Sequence, residues 1–211
     1  MFALTDKLWF PDPDQAEEDG LLAIGGDLSP HRLLLAYRSG IFPWFMDEDV
    51  IFWFSPPQRM VLFPEELHIS KSMKQVIRSN RFQTTKNQAF EKVIQLCAQV
   101  HQQQQSATWI SKEFVQAYTR LHELGHADSI ECWEQHELVG GLYGISIAKI
   151  FFGESMFSIR PNASKAALIA LCESENYSLI DCQVKTDHLA SMGAKNITRN
   201  NYLKLLQENI Y

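Results

Sequence analysis

Three polar residues interrupt the most apolar stretch of the chain. Between Leu138 and Val184 the sequence reads L-V-G-G-L-Y-G-I-S-I-A-K-I-F-F-G-E-S-M-F-S, then N-A-S-K-A-A-L-I-A-L-C, then L-I-D-C-Q-V, and within it lie Glu154, Asp181 and Gln183. Burying such groups costs free energy unless they are paired or used. Asp181 and Gln183 are two apart in a run that predicts a strand, so their side chains share one face while Cys182 points to the other. Together they can hydrogen-bond one substrate group; a satisfied polar network at a strand end would use the same two residues. Glu154 follows Gly153, where a bulge would let it pair with Lys149 or Arg160, and it is equally a candidate pocket carboxylate.

Other catalytic templates are missing. There is no G-x-S-x-G, Walker A or G-x-G-x-x-G fingerprint. H-E-L-G-H at 122–126 fits the zinc-protease letters H-E-x-x-H. Zinc would need both histidines on one helical turn and a third ligand. Gly125 reads instead as the stop of a helix, and no third ligand follows, so no metal is expected. Cys97, Cys132, Cys172 and Cys182 lie singly among apolar residues, as buried free thiols in a reducing compartment do.

The 211 residues carry a net charge of −6, with 45% hydrophobic and 21% charged residues, ordinary values for a globular chain with a real core. No run of about 18 apolar residues predicts a membrane span. The N-terminus shows neither a basic leader nor a long apolar stretch, so a cytoplasmic protein is expected. Charge is unevenly spread. Asp12–Asp49 holds nine acids against Arg32 and Arg38, whereas 58–92 holds seven bases against Glu65, Glu66 and Glu91. Such asymmetry suits one cationic and one anionic partner on different faces, or a merely solvated surface.

The elements that must position these residues follow from pattern. Leu138–Ile147 and Ile150–Phe157 read as strands joined at Ala148-Lys149, Ser164–Cys172 as a buried helix, and Leu179–Val184 as a returning strand. Upstream, Phe10–Gly20 is an irregular arm, L-L-A-I-G-G-D-L a strand and turn, and His31–Ser39 a helix with Ser29 as N-cap and Pro30 in its first position. I-F-P-W-F and I-F-W-F form an aromatic hairpin, with Trp44 in a loop beside Pro43. A first module closes near Pro64, giving expected domains 1–64 and 65–211. Ser70–Ser79 is a basic helix with Lys71, Lys74 and Arg78 on one face. Phe82–Thr85 is a strand, Gln88–Cys97 a helix, and H-Q-Q-Q-Q-S at 101–106 a polar loop. Lys112–Leu124 is a helix capped at Ser111, Ala127–Glu134 a strand, and Thr198–Glu208 a terminal helix.

Eleven segments occur in a fixed order, among them G-G-D-L-S-P (25–30), G-I-F-P-W-F (40–45), W-F-S-P-P-Q-R (53–59), L-H-I-S-K-S-M-K (67–74), R-L-H-E-L-G-H-A-D-S-I-E (120–131), F-F-G-E-S-M-F-S (151–158) and L-I-D-C-Q (179–183). From about Phe10 to Leu206 the set resembles the leucyl/phenylalanyl-tRNA–protein transferases. The resemblance implies an α+β fold, a small N-terminal α/β module followed by an N-acetyltransferase-like (GNAT-like) domain. It implies transfer of Leu, Phe or Met from aminoacyl-tRNA to proteins with N-terminal Arg or Lys, by a monomer without cofactor. A different GNAT-type acyltransferase using a CoA thioester is the alternative, but the turn I-R-P-N-A-S-K lacks the expected glycine-rich phosphate signature. By resemblance Gln183 contacts the amino nucleophile and Asp181 orients it; the proton goes to Asp181, to water or to the tRNA's terminal hydroxyl. Leu142, Phe151, Met156, Leu168, Leu171 and Ile180 match an apolar donor pocket, Glu154 its glutamate, and Trp44 and Trp109 the aromatic residues flanking the terminal adenosine. The connection Glu173–Ser178 is shorter than the glycine-containing loop often seen there, and the chain stops at Tyr211, where many relatives carry a tail.

Overall fold

Strand sequences of two kinds build two sheets. The computed structural model describes residues 1–47, 50–104 and 110–210. The first sheet comprises β1 (Phe2–Leu4), β2 (Leu21–Gly25) and, after helix α1 (Pro30–Arg38), the hairpin of β3 (Phe42–Asp47) and β4 (Val50–Phe54), in the order β1-β2-β4-β3. Ser29 caps α1 by accepting from the Arg32 amide, with Pro30 in the first turn. Trp44 lies on β3 rather than in a loop, half-buried and edge-on to Phe54 at 6.0 Å. The aromatic alternation of the hairpin is strong enough to carry the strand through Pro43.

β5 (Gln58–Leu62) leaves this module and enters the second sheet. Then come α2 (Lys71–Arg78), β6 (Gln83–Lys86), α3 (Phe90–Gln104), α4 (Lys112–Glu123), β7 (Ala127–Glu134), β8 (Glu137–Ile147), β9 (Ile150–Ser158), α5 (Ala163–Glu173), β10 (Leu179–Gln183), α6 (Asp187–Ser191), β11 (Lys195–Thr198) and α7 (Arg199–Ile210). The seven strands run β11-β5-β10-β9-β8-β7-β6. All pairs are antiparallel except β9–β10, which are parallel. The strands and helices expected from pattern are present. The glutamine run is the exception: α3 continues to Gln104 instead of ending at Cys97, because Gln is a good helix former even without apolar spacing.

The second sheet is covered on both faces. One core joins the first sheet and α1 (Leu22, Tyr37, Trp53) to α3, α4 and α7 (Val93, Phe114, Tyr202) through the sheet residues Tyr143, Phe152 and Leu179. The other lies beneath α5 and gathers Leu142, Phe151, Leu168, Leu171 and Ile180. The approach of α5 is set by Gly140 on β8, where a Cβ would sit 2.5 Å from the Ala163 Cβ and 2.8 Å from the Ala163 carbonyl carbon. Backbone cannot step aside as a side-chain tip does. Gly140→Ala should therefore lower stability by about 1–3 kcal/mol through overpacking, read from the thermal unfolding midpoint. An unchanged midpoint would show that α5 is free to back away.

Candidate active site

The site begins with a backbone irregularity on β10. Asp181 pairs with Val61 of β5 and Gln183 with Met60, so Cys182 is bulged out of register. Gln183 adopts φ +60°, a left-handed conformation uncommon for a residue with a Cβ. Its amide compensates by donating to Asp181 Oδ1 at 2.8 Å. The expected shared face of Asp181 and Gln183 is thus reached through a bulge rather than through regular alternation.

Asp181 is fully buried, and four donors converge on its carboxylate. Arg59 Nε and Nη2 approach at 2.8 and 2.6 Å, the Tyr202 hydroxyl at 2.6 Å, and the Gln183 amide makes the fourth. The Arg59 guanidinium lies between the Phe42 and Tyr202 rings, 4.5 and 4.7 Å from their centroids. Burial opposes the Arg59 charge, but Asp181 beside it holds the guanidinium above its ordinary range. Asp181 does not open toward Leu142 and Phe151. Its partners stand on the α7 side of the sheet, and those apolar residues line the α5 side.

Glu154 sits on a bulge of β9, where Gly153 pairs with Gly144 and Ser155 with Tyr143. It pairs with neither Lys149 nor Arg160, which lies instead near Glu134. Oε1 accepts from the Tyr37 hydroxyl at 2.6 Å and from Gln183 Nε2 at 3.0 Å, and Oε2 accepts from the Tyr118 hydroxyl at 3.1 Å. The Tyr37 and Tyr118 hydroxyls also touch each other. Burial pushes the Glu154 carboxyl up to about 7; the two tyrosines pull the other way, and Asp181 adds to the rise. Burial likewise lifts the Tyr37 and Tyr118 phenols well above their usual range. Tyr37, Arg59, Tyr118 and Tyr202 carry no signal in the sequence that marks them as site residues. Their long separation in sequence leaves no local signal.

The six apolar candidates come together. Leu142, Phe151, Leu168, Leu171 and Ile180 are buried in one cluster, with Met156 packed against it. The β9–β10 ladder runs as far as Phe152 and Asp181, and beyond its end Glu154 and Gln183 meet through their side chains. Lys71, Lys74 and Arg78 are exposed on α2 while Met73 is buried beneath them. Trp109 lies outside the described residues. The two histidines of H-E-L-G-H do not share a helical turn: α4 ends at Glu123 and Gly125 has φ +79°. His122 Nδ1 instead contacts the Ala127 carbonyl at 2.7 Å, with its ring stacked on Phe90. Burial pushes the Cys97, Cys132 and Cys172 thiols up to about 12, which removes them as thiolate nucleophiles.

The family described as leucyl/phenylalanyl-tRNA protein transferase matches residues 61–207, and its N-terminal domain matches 26–57. A relative from Syntrophobacter fumaroxidans, named leucyl/phenylalanyl-tRNA–protein transferase, is 53% identical over all of this chain and 91% of its own length. A relative of the same name from Escherichia coli O157:H7 is 53% identical over 94% of this chain and 86% of its own. Among solved structures, FemX overlays with a TM-score of 0.50 at 8% identity, covering 83% of this chain and 70% of that one, a likeness of fold alone. The fold is α+β, with a small N-terminal module.

A carboxyl held near 7 in the fold, against an ordinary value of 4.5, makes a signed contribution to stability. The contribution is fully present below the unfolded value and is lost as pH rises through the folded one. Glu154→Gln keeps a neutral group at every pH. Between pH 5 and 8 the parent should therefore lose unfolding free energy relative to Glu154→Gln, by on the order of 3 kcal/mol. Parallel stability curves for the two proteins would contradict the buried, readily protonated carboxyl.

Proposed function

This chain belongs to the leucyl/phenylalanyl-tRNA protein transferase family, an aminoacyltransferase family, and from that premise we propose that it moves Leu, Phe or Met from aminoacyl-tRNA onto the N-terminal Arg or Lys of acceptor proteins. Such acceptors then enter N-end-rule degradation in the cytoplasm. The observation that carries this reading is Gln183, locked by Asp181 and held beyond the end of the β9–β10 ladder. With its Nε2 engaged by Glu154, its amide oxygen is the end that accepts from an incoming amine.

The donor ester is already activated, so neither ATP nor metal is needed to drive the transfer. The attacking α-amino group titrates at about 7.7–8.0, which leaves a useful fraction neutral near pH 7. Positioning then accounts for much of the acceleration. Leu142, Phe151, Met156, Leu168, Leu171 and Ile180 surround the donor side chain. A missing methylene in such a pocket costs only about 1–3 kcal/mol, which fits tolerance of Leu, Phe and Met. Trp44, half-buried on β3, stacks on the terminal adenosine, a role that the family resemblance also gives to Trp109. The first turn of α5 speaks against a CoA pyrophosphate, because the Ala163 and Ser164 amides donate to the Arg160 carbonyl and Ser158 Oγ.

Two experiments test the reading. In the first, the protein is incubated with charged Phe- or Leu-tRNA and with peptides beginning in Arg, Lys or Ala. Gln183→Ala should lower kcat by roughly 10²–10⁴-fold while affinity for Phe-tRNA changes little. Normal turnover by the folded variant would remove Gln183 from the chemistry. The second concerns α2. Reversing the charge of Lys71, Lys74 and Arg78 should weaken tRNA binding and reduce the slope of log affinity against log salt by about 2–3. An unchanged slope places these residues away from the phosphates.

A further inference from the structure

One protonation state of Glu154 fills every oxygen contact around it. Three oxygen contacts form a closed triangle: Tyr37 to Glu154 Oε1, Tyr118 to Glu154 Oε2, and Tyr37 to Tyr118. With Glu154 ionised, the two phenolic protons fill only two of the three contacts, and the third sets two oxygens face to face. With Glu154 protonated, all three are filled in one direction. Glu154 Oε2–H donates to Tyr118, Tyr118 donates to Tyr37, and Tyr37 donates to Oε1. The tyrosines are fully buried and Glu154 nearly so, which leaves these groups one another as partners, with Gln183 Nε2 added at Oε1.

We propose that Glu154 is the proton acceptor of the transfer reaction, with Tyr37 and Tyr118 closing a hydrogen-bonded ring around the proton it takes up. The assignment rests on the aminoacyl-transfer reading and deepens it. Asp181 is unsuited to the task, because four donors already occupy its oxygens. Gln183 joins the two halves of the site, donating from its backbone to Asp181 and from Nε2 to Glu154. An amine held on the Gln183 amide oxygen therefore stands beside the ring.

The step balances. The amine nitrogen forms a bond to the ester carbonyl carbon, and the resulting adduct gives an N–H proton to Glu154 Oε2, the oxygen carrying a single hydrogen bond. Tyr118 swings its hydroxyl from Oε2 to the Tyr37 oxygen, and the ring closes. As the carbon–oxygen bond to the tRNA ribose breaks, the proton passes from Oε2 to the departing oxygen and the ring reopens. No proton is consumed and no further reactant is required. Glu154 is the catalytic residue; Tyr37 and Tyr118 position its proton.

The groups facing Glu154 are Tyr37 of α1, Arg59 of β5, Tyr118 of α4, Tyr143 of β8 and Asp181 of β10. Arg59 and Asp181 are locked as a pair, and burial raises the three phenols well above their usual range. Glu154 is thus the member of this set that titrates near pH 7.

The test is the pH dependence of single-turnover transfer from Phe-tRNA to a peptide with N-terminal Arg. Two ionisations must be complete, that of the amine and that of Glu154, so log kcat/KM of the parent should rise with a slope of about 2 below pH 7. Glu154→Gln preserves hydrogen-bonding capacity but cannot ionise; its slope should fall to about 1 and its kcat by roughly 10²–10⁴-fold. Tyr118→Phe should displace the Glu154 limb from its parental pH, which a packing role leaves in place. A slope of 1 in the parent, which involves no variant at all, or a Glu154→Gln rate within threefold of the parent, overturns the relay alone. Absence of transfer by the parent overturns the relay together with the function on which it rests.

Discussion

The buried pair of Arg59 and Asp181 is the constraint on which the site depends. Both side chains are essentially excluded from solvent, and removing either leaves an unpaired charge in the interior, at a cost of about 3–5 kcal/mol. The pair also fixes geometry across distant parts of the chain. Arg59 belongs to β5, Asp181 to β10, the Tyr202 hydroxyl to α7, and the Phe42 ring beneath the guanidinium to the N-terminal sheet. Four elements must therefore be in place before Asp181 is satisfied. Once satisfied, its Oδ1 holds the Gln183 amide and sustains a left-handed conformation that would otherwise cost on the order of 1–3 kcal/mol.

The seven-stranded sheet separates two kinds of chemistry. Its α5 side is apolar, with Leu142, Phe151 and Leu168 buried in one cluster. Its other side carries the carboxylates, Arg59 and the tyrosines. A continuous sheet would keep the two apart. The end of the β9–β10 ladder at Phe152 and Asp181 gives them a common boundary, and the two bulged residues Glu154 and Gln183 stand on it. Both irregularities lie where the ladder hydrogen bonds stop, which is where a substrate can reach backbone and side chains from the edge.

Much of this was legible in the chain, and the rest was illegible for definite reasons. The hairpin of β8 and β9, the buried α5 and the caps at Ser29 and Ser111 are local features written in apolar period and side-chain chemistry. β5 and β11 were missed because Q-R-M-V-L and K-N-I-T show no clean alternation; each is a strand only by virtue of its neighbours. Glu154, Asp181 and Gln183 stood out as polar residues in an apolar setting. Their partners did not, because a tyrosine in a helix and an arginine after a proline pair are ordinary in composition. The pairing of Arg59 with Asp181 spans 122 positions, and that of Tyr37 with Glu154 spans 117. Such contacts are set by topology.

The two carboxylates of the site are only two hydrogen bonds apart through Gln183, yet their surroundings drive them to opposite uses. Asp181 faces a permanent cation that compensates its charge, and every lone pair is claimed, so proton uptake there would break an ion pair and several hydrogen bonds. Glu154 faces neutral phenols, and uptake of a proton relieves the cost of burying its charge and completes the ring with Tyr37. One group is therefore fully engaged by its partners, while the other sits near balance between its two forms. On the reading proposed above, Gln183, which does not ionise, joins the two carboxyl groups and offers its amide oxygen to the amine. In a reaction whose donor ester is already activated, a rigid anchor for the nucleophile and an adjacent adjustable proton site are sufficient protein chemistry.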